Sequence, residues 1–104
     1  MENKSYSLRY LPNIWDRFVK YNKLYYKRLK WKVTALRLVD DIETSILKRL
    51  ENPLAFEPYR SAKKRDYPYY RIYVRNYVVY YVVIGDVMEV RRLIYGARDI
   101  NRHL

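Results

Sequence analysis

Residues 69–96 read YYRIYVRNYVVYYVVIGDVMEVRRLIYG, and this stretch decides the fold. Tyr70, Ile72 and Val74 alternate with Arg71, Tyr73 and Arg75, the period-two pattern of a strand with one buried face. On that pattern Arg71 and Arg75 share the other face. Asn76 marks a tight turn. Tyr77 to Ile84 is an unbroken aromatic and β-branched run, as expected of a central strand buried on both sides. Gly85-Asp86 is a second turn, where glycine permits positive φ. Val87 to Tyr95 is the last strand, and Gly96 ends it. Turns this short join antiparallel neighbours, so the three strands form a meander. Ala97 to Leu104 remains as a short tail.

Upstream the period changes. Tyr6, Leu8 and Tyr10 share one face of a short first strand, stopped by Pro12-Asn13. Ile14, Phe18, Tyr21, Tyr25 and Leu29 then recur at helical spacing, with Arg17, Lys20, Lys23, Lys27 and Lys30 on the opposite side. Ala35, Val39, Ile42, Ile46 and Leu50 form a second helical stripe, with acids early and Lys48-Arg49 late, as the helix dipole prefers. The break between the helices is expected near Lys30-Trp31-Lys32. Asn52-Pro53 is a firm stop, because proline cannot continue a helix. Residues 54–68 form a surface connector with the basic run Lys63-Lys64-Arg65. The expected fold is α+β, in the order β-α-α-β-β-β. An antiparallel sheet carries an N-terminal helical hairpin on one face, and the first strand pairs at an edge or beside the last.

With 104 residues the chain is expected to be a single domain, 1–104. There is no cysteine, so a disulfide framework and a thiolate metal site are both excluded. No cofactor or metal is expected. The longest apolar run, Tyr77 to Ile84, falls well short of the roughly 20 residues of a membrane helix. No apolar segment follows Met1-Glu2-Asn3-Lys4, so a cytoplasmic protein with no membrane partner is expected. The net charge of +11, from 22 basic and 11 acidic side chains, points to a polyanionic or acidic partner. Fourteen tyrosines suit strands and also the stacking of bases.

From Tyr69 onward the sequence resembles the RelE/ParE toxin superfamily. Tyr70-Arg71-Ile72-Tyr73-Val74 is similar to its second strand, and Tyr77-Val78-Val79-Tyr80-Tyr81-Val82 to its central strand. The segment from Val90 to Ile100, through Gly96-Ala97-Arg98-Asp99, is similar to its closing segment. Asn52-Pro53 matches its usual helix stop. The specific likeness covers about the last third of the chain; the remainder agrees in element order and length. The resemblance implies a toxin of a type II toxin–antitoxin pair, silenced by a cognate antitoxin that wraps an acidic segment around it. Two targets follow from it: mRNA in the ribosomal A site, cut by RelE-like members, or DNA gyrase, poisoned by ParE-like members.

For the first target the chemistry is cleavage of RNA through its own 2′-hydroxyl. It needs a base, a cation for the phosphorane and an acid for the leaving 5′ oxygen. The resemblance places Arg71 and Arg98 at catalytic positions. Arginine stabilises phosphate but shuttles protons poorly, which leaves His103 as the side chain that titrates near neutrality. Arg75, Lys63, Lys64 and Arg65 would contact phosphates, and Tyr73 and Tyr95 would stack bases. The sequence departs from many RelE-like enzymes at Tyr77-Val78-Val79, which lacks their second arginine, and His103 is slightly out of register with their terminal aromatic residue. As plain surface chemistry, Arg71 and Arg75 would solvate a sheet edge, the basic run a loop, and His103 a chain end. One or both of Arg91 and Arg92 are expected to pair with acids on the helices.

Overall fold

A computed structural model describes residues 5–16, 29–59 and 66–95. The elements are β1 (Ser7–Tyr10), α1 (Leu29–Arg49), β2 (Tyr70–Val74), β3 (Tyr77–Ile84) and β4 (Val87–Tyr95). The last three strands fall where the period-two reading puts them. They form the expected meander, with β3 antiparallel to both β2 and β4. β1 lies at the edge beside β4, giving the order β1-β4-β3-β2.

The sheet is mixed rather than wholly antiparallel, because β1 runs parallel to β4 with Leu8 opposite Met88 and Arg9 opposite Glu89. The long connection through the helical segment returns the chain to β2 at the far edge, so β1 is free to take either direction. Backbone bonds from Ser7 N to Asp86 O and from Leu11 N to Val90 O clamp both ends of the short strand.

The second helical stripe is buried as its spacing predicts. Ile42 and Ile46 are fully buried, and Val39 and Leu50 pack at the margin. α1 runs without interruption through 30–32, so the break expected there does not occur. Residues 14–16 are helical. The rest of the first helical stripe, Phe18 to Tyr25, lies outside the described residues. Pro53 is fully buried at the far end of α1, where Asn52 N bonds to Arg49 O and the helix tightens and stops. Among the described residues no helix is long and apolar enough to cross a membrane.

α1 covers one face of the sheet only. Tyr70, Ile72, Val74, Tyr77, Val79, Tyr81, Met88 and Val90 meet Ile42 and Ile46 there. The opposite face holds a smaller cluster of Tyr69, Val78, Tyr80, Val82 and Ile94, with Tyr59 against it. The two hairpin turns each place their first residue at left-handed φ: Gly85 at 62° and Arg75 at 54°.

Candidate functional site

The face of the sheet away from α1 is where the charged strand residues gather. Alternation sends Arg71 and Tyr73 of β2 to this side, opposite Tyr80 and Val78 of β3. On β4, Glu89 lies opposite Val82 and therefore faces the same way, as does Arg9, its partner on β1. The register then slips. Tyr81 pairs with Val90 but Tyr80 pairs with Arg92, so Arg91 is an extra residue, a β-bulge. Simple alternation from Val90 would send Arg92 under the helix. The bulge instead turns Arg92 onto the face away from the helix, beside Arg91. Among the described residues four arginines, Arg9, Arg71, Arg91 and Arg92, thus share this face with one acid, Glu89.

Glu89 is buried and bracketed. Arg9 reaches it from β1 and donates from Nε at 2.7 Å, and Arg91 donates from Nε at 2.8 Å. Burial by itself would push this carboxyl up, but hydrogen bonds from Arg91 and Arg9, aided by their charges, hold it below the ordinary carboxylate range. Arg91 therefore finds its acid on its own strand and not on the helices, contrary to expectation. It also hydrogen-bonds the Tyr69 side chain. Arg92 donates from Nη1 to the Arg91 carbonyl at 2.8 Å.

Arg71 lies half-buried with its guanidinium 5.1 Å from the Tyr59 ring centre and 5.8 Å from that of Tyr73. Such stacking orients a cation without neutralising it. Tyr73 is 62% exposed, an aromatic ring presented to solvent beside a cation. Below them Arg49, in the last turn of α1, donates to the Arg71 carbonyl at 2.9 Å and to Tyr81 Oη at 3.1 Å, and sits 3.5 Å from the Phe56 ring centre. The helix end and β2 are thereby tied together under Arg71.

Two adjacent tyrosines of β3 show the contrast between the faces. Tyr81, toward the helix, donates to the Pro53 carbonyl at 2.8 Å and accepts from Arg49. Tyr80, toward the open side, is equally buried, yet its hydroxyl has no hydrogen-bond partner among the described residues. An unmet buried hydroxyl costs about 1–3 kcal/mol. The rings of Tyr59 and Tyr69 lie edge-on to it, with centres 6.2 and 6.1 Å away. Burial pushes its pKa up to about 12, so the phenol keeps its proton at neutral pH.

Arg71 and Tyr73 are thus brought together as expected. Arg75 is not on their face: it occupies the turn after β2 and forms an ion pair with Asp41 of α1 at 2.5 Å. A two-residue turn had to borrow one residue from the alternating run, and that residue was Arg75. Tyr95 closes β4 opposite Tyr77, and its side chain lies outside the described part. Lys63, Lys64, Arg65, Arg98 and His103 also lie outside the described residues. The residue that the sequence reading passed over is Arg92, since its position on the open face depends on a bulge that alternation does not reveal.

A family model described as the ParE toxin of type II toxin-antitoxin system, parDE, matches residues 15–100 of this chain. No curated protein matches it.

Proposed function

The chain belongs to the ParE toxin family, within the RelE/ParE superfamily of type II toxins, and from that premise we propose that it arrests growth by cutting mRNA on the ribosome in the cytoplasm. Membership implies a cognate antitoxin as partner. We read residues 1–104 as one toxin domain.

The observation that carries the nuclease reading is the group of basic and aromatic side chains on the face away from α1. It sets the Arg71 guanidinium within cation–π distance of both the Tyr59 and Tyr73 rings, with Arg92 on the same side. Arginine over aromatic rings suits a single-stranded nucleic acid, because the bases stack and the phosphates meet fixed charge. In the proposed reaction the substrate's own 2′-oxygen attacks the adjacent phosphorus and the P–O5′ bond breaks. A 2′,3′-cyclic phosphate and a free 5′-hydroxyl result. Arg71 and Arg98 neutralise the phosphorane. His103 takes the 2′ proton and returns one to the 5′ oxygen. Tyr80, held protonated, is unsuited to be the base. Lys63, Lys64 and Arg65 add phosphate contacts without sequence preference.

The test is cell-free translation with the purified protein, mapping the message by primer extension. Cuts in frame with codons, absent without ribosomes and lost in both Arg98→Ala and His103→Ala, are the expected result. Full cutting by both variants would remove the proposed chemistry.

A second reading, inhibition of DNA gyrase without catalysis, is favoured by the description of the matched family and by the start of β3. There Tyr77, Val78 and Val79 are all buried, with no basic side chain. An intact message together with blocked supercoiling in a gyrase assay would put this reading in first place.

A further inference from the structure

One row of side chains crosses the open face at its centre. Arg71 of β2 lies opposite Tyr80 of β3, and Tyr80 lies opposite Arg92 of β4. Adjacent strands are about 4.8 Å apart, so two guanidinium-bearing strands flank the phenol at roughly 10 Å from each other. Three observations single out this row. The Tyr80 hydroxyl is buried and unmet among the described residues, unlike its neighbour Tyr81. The bulge at Arg91 places Arg92 here and not under the helix, and bulges characteristically re-aim side chains at functional positions. The phenol also keeps its proton, so it meets an anion as a neutral donor.

We propose that Arg71, Tyr80 and Arg92 form a phosphodiester-binding subsite for single-stranded RNA, with the two arginines supplying charge and the Tyr80 hydroxyl donating to a non-bridging oxygen. The inference rests on the nucleic-acid reading of this face and adds to it the Tyr80 hydroxyl and a single phosphate shared by all three side chains. The groups that act on the hydroxyl are the side chains of Tyr73, Arg71 and Tyr59. Of these Tyr73 is exposed and its side chain rotates on the picosecond-to-nanosecond scale; on this proposal Arg71 and Tyr59 swing aside with it to admit the phosphate. The two kinds of donor have different signatures. An arginine on a phosphate releases counterions, so its loss lowers the salt dependence of binding; a neutral hydroxyl releases none.

The experiment measures binding of the full-length protein to a fluorescent 2′-O-methyl RNA oligonucleotide, which cannot be cut, over a range of salt. Tyr80→Phe is expected to weaken binding about tenfold at an unchanged salt slope, as for a lost hydrogen bond to a charged group. The same variant should resist urea at least as well as the parent, because it removes an unmet buried hydroxyl. Arg92→Gln should lower the magnitude of the slope by about 0.7. Parent affinity in Tyr80→Phe, or a parent slope in Arg92→Gln, would overturn the subsite, as would a parent protein that does not bind the oligonucleotide. Ribosome-dependent cutting, assayed in parallel, separates the two failures. If the parent protein cuts mRNA while both variants bind and cut as it does, the subsite falls and the nuclease stands. If the parent neither binds nor cuts, both fall.

Discussion

The helix-covered face of the sheet and its open face are made from alternate residues of the same strands, yet they solve different problems. On the covered side the residues of β2, β3 and β4 meet Ile42 and Ile46, and the fully buried Tyr81 Oη has both a donor and an acceptor. On the other side Tyr80 is just as buried, but its hydroxyl has no partner among the described residues, and an arginine stands opposite it on each neighbouring strand. The covered face is built to be stable. The open face holds like charges close together and leaves a polar group unsatisfied, arrangements that oppose stability and favour an anionic partner.

The comparison breaks most easily in the core. Ile46→Ala should destabilise by about 2–5 kcal/mol through a cavity under the sheet, whereas Tyr73→Ala on the open face should stay within about 0.5 kcal/mol. Urea unfolding of the two variants decides it; equal losses would mean that the faces share the load.

Next in size is Glu89, the acid that Arg9 and Arg91 share. Glu89→Ala leaves Arg9 and Arg91 without their shared partner and should cost about 2–3 kcal/mol, less than for a fully buried pair because Arg9 is half exposed. The pH dependence follows from the direction of its shift. Its folded pKa lies below the ordinary 4.5. Its contribution is therefore complete above about 4.5 and is lost as pH falls through the lowered folded value. Unfolding midpoints taken down an acid series should fall for the parent protein and lose this component in Glu89→Gln.

The adjacent tyrosines give a sharper and smaller test. Tyr81→Phe should lose about 1–2 kcal/mol, and Tyr80→Phe should be neutral or gain up to about 1 kcal/mol. A loss of equal size in both would mean that the Tyr80 hydroxyl is satisfied in solution.

The smallest effects lie in the turns. Gly85→Ala should lose about 1 kcal/mol, from its φ alone, since an added Cβ meets nothing within 4 Å. Arg75→Gly should gain about 0.5 kcal/mol, as relief of left-handed backbone outweighs an exposed ion pair with Asp41. Both are read from thermal unfolding.

Much of this architecture was legible in the residues because it depends on local periodicity. Tyr77 to Ile84 has no polar face and must be a central strand. Gly85-Asp86 has turn chemistry. Ile42 and Ile46 lie one helical turn apart and must be buried together. The resemblance carried by the closing strands pointed to a toxin of this superfamily, and the family match over residues 15–100 bears that out. The direction of β1, the end of β2 one residue before Arg75, and the presence of Arg92 on the open face were not legible. Each depends on which residue stands opposite which across strands, and a single bulge at Arg91 reverses the side of every later residue. Side-chain alternation belongs to one strand and can be read along it. Register belongs to two, and only the packed sheet decides it.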